Sequence, residues 1–282
     1  MIKTFKLTQI SKLTISAIFI ALVIVFSKIL SIGDIPGIPF LRISLGPCLL
    51  IFASLLVGPI YGGLIGFLSD LIGYFAFDKS GFAYNPLFSI TYILYGVLPW
   101  LLVFLVRLNK KYKMPILQFL LFFVLDFIVI YFISTNTEFK LYATVYQIDI
   151  YLRSIIICGS ILITFLYFLL YYLLYKRFKN NDDRVLLNNI SLLVLFILLL
   201  VQVGIGVYIK YITYSVDAFV LIATQIIATL IEIFICNYLI LLLYKASSSM
   251  FKVYIKKQAS KKTNNKEKLK KIIKEELNNL LK

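Results

Sequence analysis

Five ionisable residues interrupt otherwise apolar stretches of this chain: Arg42, Asp70, Asp126, Arg153 and Glu232. A charge at the centre of a bilayer-spanning helix costs ~2.5–3.5 kcal/mol on insertion scales, so such positions carry information. Arg42 and Arg153 each open an apolar run. One reading makes them anchors that snorkel to the membrane surface. The other makes them a pair of cations receiving an anionic solute, since the planar guanidinium holds a carboxylate through two parallel hydrogen bonds. Asp126 and Glu232 lie mid-run, where hydrogen bonds between helices or contacts between subunits are the expected use. Asp70 falls late in its run, within Gly66-Phe-Leu-Ser-Asp70-Leu-Ile-Gly73. Metal or enzyme chemistry would need Asp70, Asp126 and Glu232 to converge on one cavity. The chain has no His and only three Cys, which removes imidazole acid–base catalysis and the usual zinc sites. It also lacks a G-x-x-x-x-G-K-[ST] phosphate loop and an H-E-x-x-H motif. No catalytic residue, metal or cofactor is expected, and energy for any uptake must come from a partner or an ion gradient.

The elements that position these residues are membrane spans. Of 282 residues, 61% are hydrophobic and 15% charged, whereas soluble chains carry roughly 45–50% and about 25%. A compact core cannot hide that excess, so an ordinary soluble enzyme is excluded. Eight apolar runs approach the ~20 residues that a helix needs to cross a bilayer: Leu13–Ile32, Ile43–Val57, Ile60–Phe75, Leu87–Val106, Pro115–Ile133, Leu152–Tyr175, Leu187–Tyr208 and Ala218–Tyr244. The second and third are short and parted only by Gly58-Pro59, a strong breaker, which predicts two short helices joined by a tight turn. The expected fold is therefore an all-α, polytopic transmembrane bundle of eight spans.

Charge then sets orientation. Lys3, Lys6 and Lys12, the cations of 107–113, those of 176–184 and the Lys-rich end beyond Tyr244 share one side and hold most of the 29 Lys and Arg. The exceptions are Lys28, Arg42, Lys79, Lys140, Arg153 and Lys210. Cytoplasmic loops are enriched in Lys and Arg, so both termini are expected in the cytoplasm of a multi-pass plasma-membrane protein. The first span is too long and lacks the cleavage site of a removed signal peptide. Net charge of +16 at membrane edges points to anionic lipid rather than nucleic acid.

Other features divide between packing and function. The loops Ser31–Phe40 and Phe77–Pro86 are rich in turn-formers and aromatics, suited to gripping a flat ring or simply to the interfacial aromatic belt. Small residues recur at Ala17-x-x-x-Ala21 and Gly62-x-x-x-Gly66, letting another helix approach closely, from this chain or from a partner. Cys48, Cys158 and Cys236 read as small core residues rather than a disulfide framework. Leu269, Ile272, Ile273, Leu277, Leu280 and Leu281 recur at helical spacing in the Lys-rich tail, predicting a basic amphipathic helix or a solvated tail. Tyr146-Gln-Ile-Asp149 and Tyr214-Ser-Val-Asp217 each precede a span ending Leu-Leu-Tyr-Lys, an echo expected either from a duplicated helix pair or from chance.

Taken in order, these motifs resemble a family. Ala17-x-x-x-Ala21; Leu41-Arg42-Ile43-Ser44-Leu45-Gly46; Gly58-Pro59-Ile-Tyr-Gly62-Gly63; Ser69-Asp70-Leu71-Ile72-Gly73-Tyr74; Gly81-Phe82, Asn85-Pro86 and Gly96 are similar to the substrate-binding S components of energy-coupling factor (ECF) vitamin transporters, most closely the folate type. Asn136-Thr137 and Arg153 resemble residues flanking that family's fifth and sixth helices. The resemblance implies a six-helix subunit over residues 1–178 that captures a vitamin from outside beneath closing loops. It then works with a transmembrane coupling protein and two cytoplasmic ATPases. It implies Arg42, Phe82, Tyr84, Asn85, Asn136, Thr137 and Arg153 as substrate contacts, and Ala17 and Ala21 as docking residues for the coupling protein. Residues 185–245 then form an additional helix pair and 246–282 a cytoplasmic tail. Which pair is the addition stays open: the last two spans are appended, or the fifth and sixth are inserted.

The leading expectation is a binding subunit for folate, with riboflavin, pantothenate or cobalamin as alternative vitamins. Two other classes remain: an integral-membrane enzyme, and a secondary transporter built on the repeated pair, which would transport without partners.

Overall fold

The computed structural model describes residues 7–32, 43–77, 84–108, 114–135, 138–141, 144–147, 150–178, 181–214, 216 and 220–247. Eight helices carry the expected spans: α1 (Gln9–Ile29), α2 (Gly46–Val57), α3 (Pro59–Phe77), α4 (Pro86–Leu108), α5 (Met114–Thr135), α6 (Ile150–Arg177), α7 (Asp183–Tyr214) and α8 (Val220–Ser247). Seven are long and apolar enough to cross a membrane, and α2 is the short one. At 1.5 Å per residue α2 is about 18 Å long. It needs no lipid-matched length, because all 12 of its residues are buried. It packs against α1, α3 and α4. Ile32 and Ile43 pair as an antiparallel bridge through N–H···O bonds of 3.1 Å in both directions, so α2 starts where α1 ends. The connection between α5 and α6 holds a short hairpin, β1 (Glu138–Leu141) and β2 (Thr144–Gln147), registered Glu138 to Gln147.

Gly58 separates α2 from α3 at φ 97°, a conformation that favours glycine. Its N–H bonds the Ser54 carbonyl at 3.0 Å, and Pro59 opens α3 where its missing N–H is not needed. The tight turn is as the sequence predicts. Gly62 and Gly66 face α4: a Cβ on Gly62 would overlap the Gly96 carbonyl, and one on Gly66 the Tyr92 carbonyl. Of the two small-residue repeats, this one therefore serves internal packing. Ala17 and Ala21 differ, since both lie on the exposed face of α1.

Two helices depart from α geometry. α1 winds as a π-helix over Val25–Ile29, and α7 does so over Leu199–Gly206 before resuming at Val207–Tyr214. Such segments insert an extra residue per turn and are frequent at functional sites.

α7 packs on α4 and α5, and where the chain turns into α8 a small cluster of Val207, Val216 and Leu221 is buried beside Tyr214 and Ile222. Cys48 of α2 and Cys236 of α8 are joined as a disulfide with Cα atoms 5.0 Å apart. This corrects the reading of all three cysteines as unlinked core residues. Cys48 and Cys236 are indeed fully buried, but tertiary packing brings two thiols 188 positions apart in sequence into bonding range, and nothing in their spacing signals it. Cys158 is free and exposed.

Chain contacts divide after Leu241. Of the C-terminal unit, only 242–247 is described. It continues α8, with Ser247 Oγ donating to the Leu243 carbonyl at 2.7 Å. The expected amphipathic helix of the tail lies outside the described residues.

Candidate functional site

One group of polar side chains lies towards the end formed by the α1, α3 and α7 C-termini and the α2, α4 and α8 N-termini; another, with Gln118, Asn188, Ser191 and Asn237, lies nearer the opposite end. Lys28 sits in the π segment of α1, with its ammonium 3.9 Å from Asp70 Oδ1 of α3. Gly73, one turn on, leaves room for the lysine stem: a Cβ there would lie 3.1 Å from Lys28 Cε. Asp70 Oδ2 accepts from Ser89 Oγ of α4 at 2.6 Å, and Ser89 shares a further short hydrogen bond with the Tyr84 hydroxyl. Asp70 is thus paired and hydrogen-bonded, which is what a buried charge requires. The chain Lys28–Asp70–Ser89–Tyr84 ties three helices to the loop before α4.

Tyr84 also carries the aromatic part of this end. Its ring centroid is 5.1 Å from that of Tyr74 and 5.8 Å, in stacked orientation, from that of Phe75. Asn85 next to it caps α4, its Oδ1 accepting from the Leu87 N–H at 3.0 Å. Its Nδ2 donates to Thr213 Oγ1 of α7 at 3.0 Å. Phe88 and Tyr214 continue the contact with ring centroids 6.1 Å apart.

A second cluster lies among α2, α4, α7 and α8. Glu232 Oε1 accepts the backbone N–H of Ser44 at 2.8 Å, while Ser44 Oγ accepts the Gly46 N–H just before α2. Glu232 is only 2% exposed. The Gln202 side chain, placed by the π segment of α7, is hydrogen-bonded to the Glu232 carboxyl, which also lies within the field of Lys210. Gln202 Oε1 accepts from the Tyr95 hydroxyl at 3.4 Å. Ser44, just before α2, and Cys48 on α2 are four residues apart, as are Glu232 and Cys236 on α8. Two such ties in the same sense require the helices to run parallel at this point, as the alternation of eight helices demands.

Among the residues expected to bind substrate, Tyr84 and Asn85 stand in the polar end. Arg42, Phe82, Asn136 and Thr137 lie outside the described residues. Arg153 sits in the first turn of α6. Further along α6, Tyr167 stacks on Phe122 of α5 at 4.5 Å, its carbonyl accepts from Tyr238 of α8 at 3.1 Å, and the Tyr171 hydroxyl donates to Asn188 of α7. Asp126 faces Ser160 and Thr164 of α6. Asp70, Asp126 and Glu232 therefore occupy three separate settings. Lys28, Gln202, Lys210 and Thr213 were not singled out as site residues by the sequence, although Lys28 and Lys210 stood among the few cations away from the basic side.

Residues 7–170 match the family described as ECF-type riboflavin transporter, S component. That is more than half of the chain, from the start of α1 to late in α6. No curated protein and no solved structure matched it. ECF S components are integral membrane proteins, not enzymes, and bind a vitamin while a coupling protein and ATPases supply the drive. This chain, whose described residues hold seven membrane-long helices and the buried short α2, belongs to that S-component family.

Proposed function

We propose that the chain binds riboflavin at the outer face of the plasma membrane and hands it to a transmembrane coupling protein driven by two ATPases. The family match supports the role and names the vitamin to test first. The aromatic and hydrogen-bonding character of the polar end supports a flat, edge-polar ligand, because stacked rings hold its faces while fixed donors and acceptors read its rim. Positive charge on the opposite loops and both termini supports an outward polar end. Ala17 and Ala21, exposed on α1, serve as the docking strip for the coupling protein, where small side chains allow close approach.

Folate is the second reading. The sequence feature that favours it is Arg42, whose guanidinium suits the carboxylates that folate carries and riboflavin lacks.

The deciding experiment titrates the purified full-length chain in detergent with riboflavin, following quenching of flavin fluorescence, and with folate by calorimetry. Saturable riboflavin binding that excess folate does not displace supports the first reading. Folate binding alone selects the second. Binding of neither removes both.

A further inference from the structure

Tyr84 and Asn85 are neighbours in sequence, yet different helices hold them. Tyr84 is tied through Ser89 to Asp70 of α3, whose other oxygen faces Lys28 of α1. Asn85 is tied to α7: its Nδ2 donates to the Thr213 hydroxyl, in the last turn of that helix, at 3.0 Å. Beside this bond Phe88 and Tyr214 pack ring to ring. The family match stops at residue 170, so the second tie comes from a helix beyond the matched segment. Ser89 and Asp70 are buried, at 2% and 4% exposure, whereas Tyr84, Asn85 and Thr213 are half-buried. An amide carries two N–H donors and an oxygen with two lone pairs. The Leu87 N–H takes one lone pair and Thr213 takes one N–H, which leaves half of the hydrogen-bonding capacity of Asn85 for another molecule.

We propose that Thr213 is a positioning residue for substrate binding: its hydroxyl holds the Asn85 amide, and with it the Tyr84–Asn85 segment, in the orientation that meets the vitamin. This rests on the vitamin-binding reading above and adds a residue outside the matched segment that serves it. The remaining donor and acceptor of the amide suit a ligand rim that carries C=O next to N–H. Flavin and pterin rings both have such a rim, so the contact selects the chemical class and not the vitamin within it. Without the Thr213 hydroxyl, Asn85 still caps α4 through Oδ1, because the cap needs only an acceptor. The Nδ2 end, however, loses its fixed direction, and the amide can rock about the cap. The ligand then meets only the fraction of molecules whose segment is in place, and the apparent Kd rises by the inverse of that fraction. One neutral hydrogen bond shifts such a population by about two- to tenfold.

The test uses the full-length chain in detergent, titrated with riboflavin and with folate, unaltered and as Thr213→Val, Thr213→Ser and Thr213→Ala. Thr213→Val keeps the shape of the side chain and removes the hydroxyl. It should weaken whichever vitamin the unaltered chain binds by about three- to tenfold. Thr213→Ser retains the hydroxyl and should restore affinity to within about twofold of the unaltered chain. Thermal unfolding reports whether each variant is folded, and if Thr213→Val is not, Thr213→Ala decides. A hydroxyl with a merely structural role would lower the unfolding temperature and leave affinity unchanged, and that result overturns the assignment while the vitamin reading stands. Equal loss of affinity in Thr213→Val and Thr213→Ser also overturns it, since packing of the methyl group and not the hydrogen bond would then be responsible. If the unaltered chain binds neither vitamin, the vitamin reading falls and the assignment falls with it.

Discussion

Cys236 of α8 is bonded to Cys48 of α2 one helical turn beyond the hydrogen bond that joins Glu232 to the Ser44 amide. A covalent tie and a hydrogen bond thus share one register, four residues apart along each segment. Together they hold the last span against the most deeply buried one and fix the orientation of the Glu232 carboxylate.

Peptide mapping without reduction is expected to recover Cys48 linked to Cys236, with Cys158 alkylated by a membrane-permeant maleimide. A disulfide typically contributes about 2–4 kcal/mol. Cys48→Ser combined with Cys236→Ser should therefore lower the thermal unfolding temperature in detergent. Recovery of both cysteines as free thiols from untreated membranes would remove the tie.

The crossing of α3 and α4 has no space for side chains. Gly96→Ala would drive its methyl into the Gly62 carbonyl, and overpacking of this kind costs about 1–3 kcal/mol. At Gly159 nothing lies within 4 Å of the added carbon, so Gly159→Ala should be neutral or stabilising by up to about 1 kcal/mol, from helix propensity alone. Unfolding of the two variants under the same detergent compares them directly.

Lys28 and Asp70 are mutually dependent. Lys28→Ala strips the carboxylate of its cation, and breaking a buried pair from one side costs about 3–5 kcal/mol. The double variant Lys28→Met with Asp70→Leu leaves no charge stranded. It should regain a large part of the loss, which unfolding of the single and double variants measures as a coupling energy. Strictly additive effects would show that the pair does not act as a unit.

Ala17→Leu and Ala21→Leu should separate binding from transport. Both positions are exposed on α1 among the described residues, so the added bulk points away from the rest of them. Vitamin affinity should stay within twofold, whereas uptake into proteoliposomes containing the coupling protein and ATPases should fall by more than tenfold. The unaltered chain alone should bind vitamin without accumulating it. Full uptake by both variants would place the docking surface elsewhere.

Membrane embedding, the number of helices and the break at Gly58-Pro59 were legible in the sequence, because each is a local property: a run of apolar residues, a residue free to take positive φ, a ring with no N–H. The ECF family was legible from short motifs whose order survives in one dimension. Asp70 stood out because a carboxylate in an apolar run is conspicuous, but its partner Lys28 belongs to a different helix, and only packing around Gly73 brings the two together. The same holds for Glu232 with Ser44, Gln202 with Tyr95 and Cys48 with Cys236. Hydropathy marks which segments leave water, yet every apolar helix satisfies its own backbone and is equally at ease in lipid. Which helices become neighbours is decided by close approach at glycines, by buried polar atoms that need partners, and by the extra residue of each π segment. Those are relations between distant parts of the chain, which only the tertiary structure displays.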